Sequence, residues 1–103
     1  MGGITRAIKL AEHHKLPVVV SSALESAVGI SYGLKLAATL PTLNFACGLA
    51  TASLLDSNVG KLPIVDGHIQ IAQFEPNFDG LEVAPERFEW WKNRIMRTAE
   101  LLK

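Results

Sequence analysis

PVVVSSALES, residues 17–26, decides how this chain is read. Its first four residues, Pro17-Val18-Val19-Val20, are a short β-branched run with no polar break. A continuous apolar run of this kind reads as a strand covered on both faces, as in parallel sheets. Ser21 and Ser22 stand where that strand ends, and Leu24-Glu25-Ser26 open a stretch of helical apolar spacing. A strand passing directly into a helix is a βα unit. In βα folds the chemistry gathers on the loop at the carboxyl end of the strand, which here is residues 21–23.

Downstream, the spacing predicts a helix over about residues 24–40. Ala27, Ile30, Leu34, Ala37 and Ala38 form its apolar stripe, and Glu25 falls in its first turn, where the helix dipole favours an acid. Gly29 and Gly33, four apart, lie together on another face and predict close packing onto a sheet. Pro41 stops the helix. Residues 43–47, LNFAC, are a second strand candidate, followed by Gly48-Leu49-Ala50-Thr51 and a short helical piece to about Leu55. Two strands separated by one helix have the spacing of a βαβ unit with parallel pairing and a right-handed crossover. Cys47 beside a glycine at a strand end has the position of a nucleophile, but no base is placed near it, and free cysteine is commonly a small core residue.

Upstream, Gly2-Gly3 precede a helix over about residues 4–15, with Ile4, Ala7, Ile8 and Ala11 on one face. Two glycines before a helix can offer backbone N–H groups to an anion, but without a wider fingerprint a tight turn is the preferred reading. His13, His14 and Lys15 occupy the last turn, where positive charge complements the dipole. Adjacent helical residues point about 100° apart, so the two histidines are poorly placed to share a metal ion. Leu16-Pro17 end this helix.

The character changes after Asp56. Residues 56–60 read as a loop. Leu62-Pro63-Ile64-Val65 and His68-Ile69-Gln70-Ile71 flank Asp66-Gly67, the chemistry of a type I′ hairpin turn. Residues 73–80 are irregular. Pro85 and Glu86 then start a last helix with the stripe Phe88, Trp91, Ile95, Thr98 and Leu102. Its Lys92, Arg94, Arg97 and Lys103 are interleaved with Glu89 and Glu100, the pattern of a solvated face.

The chain is long enough for one domain at 103 residues, and 49% of it is apolar. Domains of this size bury only about 60–70% of their unfolded surface, so the composition suits a larger core than this chain can enclose. Ten basic and ten acidic residues give zero formal charge, so a nucleic-acid partner is not expected. The lone Cys47 excludes an internal disulfide, and no Cys/His spacing suggests zinc. Apolar stretches are interrupted well before ~18 residues and no signal-peptide pattern is present, so neither a membrane span nor export is expected and the cytoplasm is the expected location. Two parallel strands alone leave both edges open. The expected partners are therefore the rest of a larger sheet or a second copy joined through those edges. A non-catalytic α/β binding or self-assembly module is the alternative to an enzyme.

The leading Gly2-Gly3, SSALES, FACGLAT about twenty residues later, and the hairpin LPIVDGHIQI together resemble the C-terminal part of the o-succinylbenzoate synthase family, most closely its actinobacterial branch, within the enolase superfamily. The resemblance covers roughly residues 2–71. It implies an α/β fold: the last two strands and helices of a modified TIM (β/α) barrel, residues 1–60, with the Ser21 strand seventh and the Gly48 strand eighth. Residues 61–103 then form a hairpin and C-terminal helix packing back on the barrel or on a capping domain.

The implied activity is that of a carbon–oxygen lyase of menaquinone biosynthesis. The family dehydrates 2-succinyl-6-hydroxy-2,4-cyclohexadiene-1-carboxylate to o-succinylbenzoate, with a pair of lysines and a Mg²⁺ held by three carboxylates. By the same resemblance those groups lie on strands preceding this sequence. Lys9, Lys15, Lys35 and Lys61 match neither lysine, Glu25, Asp56 and Asp66 match no metal ligand, and the chain alone is expected to be inactive. What the resemblance leaves to this chain is part of the pocket for a small carboxylate substrate, at Ser21, Ser22, Gly48 and Leu49, received partly through backbone N–H groups. Glu25 lies at the same junction. Racemases and cycloisomerases of the superfamily share the barrel and remain open as relatives.

Overall fold

Residues 3–102 are described by a computed structural model. The expectations placed on Gly2 and Lys103 lie outside them. The first helix, α1, spans Ile4–His14. Ile4, Ala7, Ile8 and Ala11 are half-buried, while Arg6, Lys9 and Glu12 face solvent, as the spacing predicts. Lys15 closes the helix in the left-handed conformation at φ 52°, its N–H donating to Ala11 O at 3.1 Å. His13 and His14 are exposed, with their rings edge-to-face 5.0 Å apart.

Helix α2 spans Ala27–Thr39 and rests against α1. Ala27, Ile30, Leu34 and Ala37 are buried on it at spacings of three and four, and Val20 and Leu49 complete the core. Ala38, expected in this stripe, is exposed: one step of about 100° beyond Ala37 carries it past the edge of the buried face. Glu25 is not in the first turn either, because Ser26 is the N-cap.

The parallel pairing exists, but as a single bridge between Ser21 and Gly48. Gly48 N–H donates to Val20 O at 2.9 Å, and Ser22 N–H donates to Gly48 O at 3.0 Å. The strands expected at residues 17–20 and 43–47 do not extend into a ladder. A ladder needs successive residues in step on both segments. Residues 43–46 are exposed and make no backbone bond to residues 17–19, so the pairing is confined to the point where Val20 and Leu49 enter the core.

A 3-10 helix, Thr51–Leu54, follows the bridge. The hairpin forms where expected, with β1 (Ile64–Val65) antiparallel to β2 (His68–Ile69) in the register Ile64 to Ile69 and Val65 to His68. Asp66 and Gly67 have φ of 48° and 76°, the two left-handed residues of a type I′ turn. Helix α3, Pro85–Glu100, begins at its proline and carries Glu86 in the first turn. Its expected stripe is present on one face but uncovered, since no residue of α3 is buried. On the polar side, the Arg87 guanidinium sits 4.7 Å from the Trp90 ring centre, and Lys92 pairs with Glu89 at 3.3 Å.

The chain exposes 8473 Å², against about 5,700 Å² for a compact monomer of its mass. Its radius of gyration is 16.3 Å, against about 13 Å for a compact domain of this length. One small core is built around Val20, Ile30, Leu34, Ala37 and Leu49, with Leu62 and Ile69 packed against it, and large apolar side chains remain open, including Leu16, Phe45, Phe78, Phe88 and Ile95. No helix among the described residues is long and apolar enough to cross a membrane.

Candidate functional site

The two loops at the Ser21–Gly48 bridge are brought together by their own backbone and tied by three short polar side chains. Ser22 Oγ lies 3.1 Å from Gly48 O and 2.8 Å from Thr51 Oγ1. Thr51 Oγ1 donates to Ala23 O at 2.6 Å. A hydroxyl has one proton to give. With the Thr51 proton on Ala23 O, Ser22 must be the donor in the Ser22–Thr51 contact, and its proton is shared with Gly48 O. The Ser22 hydroxyl is therefore committed as a donor inside the protein. It has no free proton to offer a carboxylate.

The second tie is Asn58. Its Oδ1 accepts from Ala27 N–H and from Val59 N–H, each at 2.9 Å, while its Nδ2 donates to Ala52 O at 3.3 Å. Ser26, the N-cap of α2, makes no side-chain capping bond, so the first turn of α2 is capped from 31 residues away. Asn58 thereby holds the start of α2 to the 3-10 helix that follows Gly48.

The four matched positions differ in what they offer. Ser21 is exposed, and its Oγ lies 2.9 Å from where a Cβ on Gly48 would stand, so glycine at 48 allows the close approach of the two loops. Ser22 is half-buried and engaged as described. Gly48 is exposed, but its N–H is spent on Val20 O. Leu49 is 5% exposed and its side chain belongs to the core; its backbone N–H has no partner among the described residues. The side chain of Glu25 lies over Gly29, with Oε2 2.5 Å from the position of a Cβ there. Cys47 is a half-buried free thiol packed against the core, as expected of a small hydrophobe.

A cavity of about 440 Å³ opens between α2 and the hairpin, lined by Leu34, Cys47, Leu49, Ile64, His68 and Ile71 among others. Of the four matched positions, only Leu49 reaches it. Among the described residues no three His, Cys, Asp or Glu side chains converge as a metal-holding group, so the residues present do not fit a Mg²⁺ site. Ala23 falls in the loop that the sequence marks out, residues 21–23, but Thr51 and Asn58 carry no such signal. Their partners lie 28–31 residues away, and hydrophobic periodicity carries no signal for so long a reach.

No family model matches the chain. Over 106 aligned residues it is 42% identical to the o-succinylbenzoate synthase of Mycobacterium tuberculosis, an alignment that covers 99% of this chain and 32% of that protein. The o-succinylbenzoate synthases of Mycobacterium ulcerans and Mycobacterium marinum match at the same 42% identity and the same coverage. The chain spans about a third of the length of these curated relatives. The resemblance drawn from SSALES and FACGLAT is thus borne out along almost the whole chain.

Proposed function

We propose that this chain is the C-terminal portion of an o-succinylbenzoate synthase. In this reading it supplies the last two βα units of a barrel and part of the pocket that receives the carboxylate substrate. The observation that carries the reading is 42% identity over 99% of the chain. The structure supports it indirectly: one parallel bridge, a small core and an excess of open apolar surface are what the end of a larger sheet leaves when taken alone. The enzyme dehydrates 2-succinyl-6-hydroxy-2,4-cyclohexadiene-1-carboxylate to o-succinylbenzoate, a step of menaquinone synthesis. The lysine pair and the Mg²⁺ ligands come from the other two thirds of the enzyme.

On the same reading, Ser21 and the Leu49 N–H face the substrate, and the Ser22 hydroxyl and Gly48 serve the loop geometry instead. Helix α3, amphipathic and uncovered, packs with its Phe88–Trp91–Ile95 face on the barrel or the capping domain. The test is a chimera of the M. tuberculosis synthase in which this chain replaces the matching segment. Dehydration by the chimera, and none by the isolated 103 residues, is the expected result. Turnover by the isolated chain, or a folded but inactive chimera, overturns it.

A further inference from the structure

Resting on that reading, we infer that Thr51 is a positioning residue for substrate binding. Its hydroxyl engages two successive residues of the first loop: it donates to Ala23 O at 2.6 Å and accepts from Ser22 Oγ at 2.8 Å. Ala23 follows directly on Ser21-Ser22, and Thr51 follows two residues after Leu49, so one hydroxyl couples the loop after the first bridged segment to the loop after the second. The backbone bridge fixes these loops only at Ser21 and Gly48. Past it, from Ala23 onward, the first loop has no backbone bond to the second, and Thr51 takes over the register.

The proton accounting gives the coupling a direction. Because Thr51 donates to Ala23 O, it orients the peptide plane whose N–H belongs to Leu24, and it leaves Ser22 to donate to Gly48 O. Removing the hydroxyl leaves the Ala23 carbonyl without its partner and the Ser22 proton to Gly48 O alone, so past the bridge the first loop loses its side-chain tie to the second and the orientation that an incoming carboxylate meets. Thr51 touches no substrate atom in this account. It acts through Ser22 and Ala23, so its loss weakens binding without slowing the chemical step.

The chimera described above carries the test. Thr51→Val, which keeps the shape and removes the hydroxyl, is expected to raise KM for the cyclohexadiene carboxylate about tenfold while kcat stays within about twofold. Thr51→Ser, which restores the hydroxyl, is expected to return KM to within about threefold of the unsubstituted chimera. A lower melting temperature with KM unchanged means that the residue is merely structural and overturns the inference. Failure of Thr51→Ser to recover KM overturns it as well. An unsubstituted chimera that folds but does not turn over fails the family reading itself, and this inference falls with it.

Discussion

Leu49 lies so close to Gly33 that a Cβ added to the glycine would stand 2.8 Å from Leu49 Cδ2. The contact joins α2 to the segment after the parallel bridge at the centre of the core. Gly33→Ala gains about 1 kcal/mol of helix propensity, but it drives a methyl group into a buried leucine, and overpacking costs about 1–3 kcal/mol. The expected result is a net loss of about 1 kcal/mol, read as a lower melting temperature of the chimera. Leu49→Val in the same chain shortens the side chain at the clash and is expected to recover part of it. A melting temperature raised by Gly33→Ala alone would show that the contact yields freely.

Gly67 gives the opposite case. A Cβ there meets nothing within 4 Å, so the only cost of Gly67→Ala is its φ of 76°. Holding an alanine in that region costs about 1–2 kcal/mol. The expectation is a loosened hairpin with an intact core: faster amide exchange at Val65 and His68, the pair that flanks the turn, and unchanged exchange in α2.

Asn58→Ala removes both bonds accepted by Oδ1 and leaves the Ala27 N–H without its partner inside the core. A loss of about 1–2 kcal/mol is expected. Asn58→Asp keeps an acceptor at the helix N-terminus, where negative charge is favoured by about 0.3–1 kcal/mol, and gives up only the bond to Ala52 O. It should therefore melt above Asn58→Ala. The reverse order would assign the stabilisation to the Nδ2 donor instead.

Ile95 is 64% exposed on the apolar face of α3. Ile95→Glu should leave the helix content of the isolated chain unchanged, because nothing covers the residue there. In the chimera the proposed docking buries this face, and the same substitution is expected to cost about 2–4 kcal/mol. Equal behaviour of the two proteins would mean that α3 does not dock on the enzyme.

Where the structure is governed by neighbours in sequence, the chain can be read directly. Asp66-Gly67 specified the hairpin because type I′ geometry needs two left-handed residues, and Pro85 specified the start of α3 because its missing N–H costs nothing there. The inward face of α1 and four of the five stripe residues of α2 followed from helical spacing. The strand at residues 17–20 was read from composition, yet pairing depends on what stands beside it, and only Ser21 finds a partner. The α3 stripe was legible as a pattern, but a pattern does not say what will cover it. The ties made by Thr51 and Asn58 could not be read, since a hydroxyl and an amide in polar loops look the same whether they bond water or a backbone group 31 residues away.

That distance also governs how the region assembles. The bonds that close the bridge and its clasp span 26, 28, 29 and 31 residues, and among the described residues no hydrogen bond of shorter span joins these loops. Closing a flexible loop of that length costs a few kcal/mol of chain entropy before any of the bonds is made. Helix α2 occupies 13 residues of the intervening chain as a rod of about 20 Å, which reduces the number of free joints and brings the ends within reach. The expected order is that α2 forms and docks on Val20 and Leu49 before the bridge closes. Substitutions that lower the helicity of α2 on its exposed side will therefore slow refolding, whereas loss of the Thr51 or Asn58 ties will speed unfolding and leave the refolding rate nearly unchanged.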